Sequence, residues 1–142
     1  MNQHHILYPM IILVLFTGLV GIAMLVARYR AVREGSLRIS YFKFNRGGKQ
    51  PEYLLKINQH FDNLLETPLL FYLSLILILQ QNRTDVAYIA IAWAYIASRF
   101  LHAWIHMGTN NILHRKNAFI LSYVLIFTIW IRLLLQLLMD SQ

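Results

Sequence analysis

The sequence predicts an all-α membrane protein, a single bundle of four transmembrane helices, and three observations carry that reading. Hydrophobic residues make up 58% of the 142-residue chain and the mean hydropathy is +0.49, well above what a water-facing domain shows. Four apolar runs, at about residues 6–27, 60–80, 86–107 and 117–139, each reach the ~20 residues that a ~30 Å hydrocarbon core needs from a helix rising ~1.5 Å per residue. The charged residues gather mostly between those runs, and they are biased: thirteen Lys and Arg against six Asp and Glu. In so apolar a chain that excess sets topology and affinity for anionic lipid, and no nucleic-acid partner is expected. There is no cysteine, which removes disulfides, thiolate metal sites and cysteine nucleophiles together.

The first run, residues 6–27, carries no charge and has no basic residue before it, so it reads as a retained span rather than a cleaved leader. His4 and His5 before it read as a solvated end. Pro9 sits in its first turn, where a missing N–H costs least. Gly18 and Gly21 stand three apart and would let a neighbouring helix come close. From residue 28 to 60 the chemistry changes: eight Arg and Lys are met by Glu34 and Glu52, plus aromatics that anchor at lipid headgroups. Gly47, Gly48 and Pro51 mark a turn.

A helix beginning around Lys56 carries Asn63 and Glu66, one turn apart, into the second run. Pro68 leaves the Leu64 carbonyl without its helical donor and predicts a kink. Residues 80–85 form a turn, and the third run follows. Residues 108–116 form a basic turn, and the fourth run is interrupted only by Arg132, which either snorkels to the interface or faces the bundle. Four spans place both termini on one side. The basic loops at residues 28–56 and 114–116 then lie together, and the positive-inside rule makes that side cytoplasmic, with both termini extracytoplasmic.

Residues 95–115, Y-I-A-S-R-F-L-H-A-W-I-H-M-G-T-N-N-I-L-H-R, put charge and imidazole inside apolar sequence. Arg99, His102 and His106 are spaced i, i+3, i+7 and share one helix face. An arginine within a span costs roughly 3 kcal/mol to insert without a partner. Glu66 is the expected partner. The topology brings Asn63, Glu66, Arg99, His102, His106 and Arg115 to one membrane depth near the cytoplasmic face. That set suits a small zwitterion or polyanion, since guanidinium recognises carboxylate and phosphate and Glu66 can receive an amine. A structural ion pair, interhelical hydrogen bonds and a topology charge account for the same residues equally well.

The run N-L-L-E-T-P-L-L-F at residues 63–71, followed by R-F-L-H at residues 99–102 and by Arg115, resembles the MAPEG family, membrane-associated proteins in eicosanoid and glutathione metabolism. The resemblance covers nearly the whole chain and is nearest to a bacterial branch of that family. It implies a left-handed four-helix bundle, a homotrimer in a bacterial inner membrane, and glutathione held between subunits near the cytoplasmic face. Asn63 and Glu66 are similar to the second-helix residues that bind glutathione, with Glu66 taking its amino group, and Arg99 is similar to the third-helix arginine of that site. His102 and His106 fall in the same binding set. Arg115 resembles the arginine that stabilises the glutathione thiolate and is the catalytic candidate. The chain departs from glutathione-using members at Gln59, where they carry an arginine, at His106, where they carry a tyrosine, and at Lys116, where a serine can stand.

The resulting expectation is a glutathione-dependent, or other thiol-dependent, transferase or peroxidase acting on a lipophilic small molecule drawn from the membrane. The competing expectation is a non-catalytic membrane protein whose polar cluster binds an anionic lipid or stabilises the trimer. A metal-dependent oxygenase built on His102 and His106, with Glu66 and His114 nearby, is weaker because one histidine pair is not a full ligand set, and no metal is expected.

Overall fold

A computed structural model describes residues 3–140 of the chain. A 3-10 turn at Gln3–Ile6 leads into α1 (Leu7–Arg33), and α2 (Glu52–Gln80), α3 (Val86–Met107) and α4 (Ile112–Asp140) follow, with no strand among the described residues. All four helices are long and apolar enough to cross a membrane. The protein is therefore an all-α membrane bundle. The helices run past the apolar runs at their polar ends. α1 continues through Arg28 and Arg30 to Arg33, α2 starts at Glu52 rather than near Lys56, and α4 starts at Ile112, which shrinks the expected turn at residues 108–116 to residues 108–111.

The ends follow local chemistry. Asn82 and Asn110 adopt left-handed φ values of 55° and 51°, a conformation asparagine tolerates, and each closes a helix. After α2 the Arg83 amide donates to the Ile78 carbonyl at 3.0 Å, and after α3 the Asn110 amide donates to the Ile105 carbonyl at 2.8 Å. The next helix is capped at once. The Asp85 carboxylate accepts from the Tyr88 amide at 2.9 Å at the start of α3, and the Asn111 side chain accepts from the Leu113 amide at 3.0 Å at the start of α4.

The main core sits mid-bundle, where Leu13, Leu64, Phe71, Leu75, Tyr95, Ile96, Ile126 and Ile129 meet, and Phe71 stacks on Tyr95 at 4.3 Å. A second cluster at the basic end packs Met24, Ala31, Leu37, Tyr41, Leu54 and Ile57. The aromatic and basic segment folds there as a short 3-10 turn, Ile39–Lys43, with Tyr41 buried, Arg28 over the Phe42 ring and Lys43 over the Phe44 ring. Of the two glycines in α1, only Gly21 lies close to a neighbour. A Cβ there would come 3.1 Å from the Phe61 ring of α2, whereas Gly18 faces open space.

α3 and α4 form a hairpin fastened at three heights. Residues 108–111 close one end. Midway, the Ser98 and Ser122 hydroxyls lie 2.9 Å apart, both buried. At the other end Arg132 faces the bundle and donates to both Asp85 oxygens, at 2.8 and 2.5 Å, while its guanidinium lies 4.1 Å from the Tyr88 ring centre and the Tyr88 hydroxyl donates to Gln136 at 2.7 Å. Arg83 pairs with Asp140 at the same end.

Candidate functional site

The site begins with the buried stripe of α3. Tyr88, Ala92, Tyr95, Arg99, His102 and His106 recur at the helical period and all turn into the bundle. α2 answers with Leu54, Ile57, His60, Leu64, Thr67 and Phe71 at the same period, so His60 enters the interior where a leucine would ordinarily stand. Both stripes reach the end where the basic loop and the 108–111 turn lie.

There a cavity of about 490 Å³ opens between α2, α3 and α4. Gln59, Asp62 and Asn63 of α2 form one wall, His102 and His106 of α3 the back, and Ile112, Arg115, Lys116 and Phe119 of α4 the other wall. Arg115 is held by the preceding turn, its Nη1 donating to the Asn110 side-chain oxygen at 2.8 Å. Two cations against the single carboxylate of Asp62 make the cavity attractive to an anion. Phe119 also lines a second, apolar groove of about 540 Å³ that runs along α4 past Tyr123, Val124, Phe127 and Ile131.

Of the six residues singled out in the sequence, Asn63, His102, His106 and Arg115 come together on this cavity. Arg99 lies behind it, fully buried, and Glu66 lies outside it on the exposed side of α2. The expected Glu66–Arg99 pair is not made. Arg99 instead donates from Nη2 to the Asn63 backbone carbonyl at 3.1 Å, and that carbonyl also accepts from the Thr67 hydroxyl at 3.1 Å. The reason is angular: residues three apart on a helix still differ by roughly 60° in direction, so at the edge of the buried face Asn63 can border the bundle while Glu66 leaves it. The Nε and Nη1 atoms of Arg99 are buried without a hydrogen-bond partner.

His60 is the residue that sequence reasoning passed over. Its ring lies 6.0 Å from that of His102 and 5.6 Å from that of His106, and the latter two are 5.7 Å apart. The three imidazoles are almost wholly buried. Its place in the apolar stripe through Ile57, Leu64 and Phe71 was the available signal. His114, by contrast, is exposed and lies off the cavity. Among the described residues no group of three His, Cys, Asp or Glu side chains is arranged to hold a metal ion.

A buried polar atom without a partner costs about 1–3 kcal/mol, so the orphaned imidazoles and guanidinium beside a basic cavity suit a polar, anionic guest. No curated protein and no solved structure matches the chain. The family model that does match is that of the MAPEG family, over residues 6–135, which contain all four membrane helices up to the last turns of α4 and every cavity residue. The chain is a member of the MAPEG family.

Proposed function

We propose that this protein is a glutathione-dependent, or related thiol-dependent, transferase or peroxidase that works on lipophilic electrophiles at the cytoplasmic face of a bacterial inner membrane, as a homotrimer. The observation that carries this reading is the cavity itself: a basic, hydrogen-bonding chamber joined through Phe119 to an apolar groove along α4. A hydrophilic thiol and a membrane-borne partner need such neighbouring environments.

Asn63 and Gln59 offer amide contacts on the α2 wall, and Arg115 and Lys116 offer charge to carboxylates on the α4 wall. Arg115, fixed by Asn110, is the cation expected to stabilise a thiolate, which lowers the thiol's pKa and raises the reactive fraction. Bound there, glutathione supplies the nucleophilic sulfur. The aromatic ladder of Phe119, Tyr123 and Phe127, with ring centres 4.9 and 6.2 Å apart, would hold the lipophilic reactant beside it.

The deciding experiment is calorimetric titration of glutathione into the detergent-solubilised protein, with an ultraviolet scan for the thiolate on the same sample. Saturable binding with a thiolate band is expected, and Arg115→Ala should reduce that band at least tenfold, about the effect of losing ~1.4 kcal/mol of charge stabilisation. No binding at millimolar glutathione, or a band indifferent to Arg115→Ala, would overturn the assignment.

One observation favours the non-catalytic reading. Glu66 is exposed in the middle of a membrane helix with no ion pair among the described residues, which suits a contact between subunits. Under that reading Glu66→Gln dissociates the oligomer while the parent protein binds no thiol.

A further inference from the structure

The three imidazoles at and behind the cavity carry a chemistry of their own. Five of their six ring nitrogens, both of His60, both of His102 and Nδ1 of His106, are buried without a hydrogen-bond partner. Every neutral imidazole keeps one ring nitrogen as an acceptor, so the cluster holds three acceptors that no donor among the described residues occupies. His102 and His106 open onto the cavity, and His60 sits behind them, nearly parallel to His102 at 18°. The cluster is closed on the α1 side by Phe16, whose ring lies 6.2 Å from that of His60.

From these positions we infer that His102, backed by His60 and His106, is the general base that takes the proton of the thiol. This rests on the thiol-dependent reading above. As the S–H bond breaks, a ring nitrogen of His102 forms a new N–H bond and the electron pair stays on sulfur, beside Arg115. The site exchanges a neutral thiol and a neutral imidazole for an anion and a cation, with no net change of charge.

The surroundings favour this transfer over the alternatives. His102 and His106 line the cavity, and His102 has both ring nitrogens free of hydrogen-bond partners, so one of them stands ready to accept a proton from a group bound there. Of the charged groups around the cluster, Asp62 of α2 is the carboxylate on the cavity wall, Lys56 of α2 is paired with Glu52 at 2.8 Å, and Arg99 of α3 and Arg115 and Lys116 of α4 are cations and cannot accept. Those same cations oppose an imidazolium standing alone. Proton transfer to His102 is thus coupled to the presence of the anion that compensates it.

The test counts protons in the wild-type protein. Glutathione binding is measured by calorimetry in several buffers of different ionisation enthalpy, with the thiolate band recorded in each. If His102 keeps the proton, the band forms while the binding enthalpy is independent of the buffer. If the proton escapes, about one is released per thiolate, and the enthalpy follows the buffer. His102→Gln is expected to restore that release or to lose most of the band at neutral pH, and His106→Gln provides a second variant should the first fail to assemble. A thiolate band with one proton released by the wild type overturns this inference and leaves the proposed function standing. No thiolate band in any buffer overturns both.

Discussion

Arg99 shows at the residue scale how a functional demand can oppose stability. Among the described residues it heads the fully buried side chains by size, its charge meets only a backbone carbonyl, and two of its nitrogens are orphaned. Removing one partner from a buried ion pair is costly, but here no such pair exists to break. Arg99→Met should therefore leave the thermal stability of the ligand-free protein unchanged or raise it by up to a few kcal/mol, the penalty recovered from unsatisfied nitrogens. Glutathione should protect the wild type against thermal unfolding and protect this variant at least tenfold less effectively. A large loss of ligand-free stability would instead make Arg99 a structural residue. The sequence made Arg99 conspicuous because arginine is rare in a span, yet its partner was not legible. Choosing between Asn63 and Glu66 needs the rotation of α2, which residue spacing alone does not specify. His60 was hidden for the opposite reason: a single histidine in an apolar stripe resembles any other until two more from α3 meet it.

At the scale of the element, α3 is held at its start by one side chain doing two jobs. Asp85 caps the helix through the Tyr88 amide and grips Arg132 of α4 with both oxygens. The Arg132 hydrogen bonds above all hold the Asp85 carboxyl below its ordinary range; burial opposes them, and the backbone amides and the charge of Arg132 add smaller lowering effects. A carboxyl depressed in the folded state adds stability that is fully present above its unfolded value, ~3.9, and lost as the pH falls through the folded value beneath it. Asp85→Ala should cost about 1–2 kcal/mol at neutral pH, mostly the cap. Asp85→Asn should cost under ~1 kcal/mol, since it keeps a capping oxygen and loses a partly exposed pair. Thermal melts at pH 7 and again below pH ~4 check the sign: the gap between wild type and Asp85→Asn closes on acidification. The number and order of helices were readable because apolar runs of bilayer length have few other uses. Their starts at Glu52 and Ile112 were not, because a helix that emerges into water keeps its hydrogen bonds while its hydropathy vanishes.

For the whole molecule the two open properties are orientation and assembly. Ser36 and Gln81 are exposed in loops at opposite ends of the bundle, and the chain's lack of cysteine makes each a clean reporter. A membrane-impermeant thiol reagent on intact bacteria should label Gln81→Cys directly and Ser36→Cys only after permeabilisation. The reverse pattern would invert the positive-inside assignment. Mass measurement in detergent should find about three chains of 16.7 kDa per particle, and a monomer or dimer would count against a site shared between subunits. The apolar faces of α1, α2 and α4 that point outward, among them Leu15, Leu19, Leu69, Leu73, Phe127 and Ile131, supply surface for either lipid or a second copy.

The fastened α3–α4 hairpin also bears on how the protein is made. α3 is the least hydropathic of the four spans, and its inner stripe carries a guanidinium and two imidazoles. Leaving the ribosome ahead of α4, it is the span with the weakest claim on the lipid phase. Its entry is favoured once α4 follows, when the four-residue turn, the serine contact and the Asp85–Arg132 grip can close. The pair should thus partition as one unit, and a chain truncated before α4 is expected to leave α3 poorly inserted.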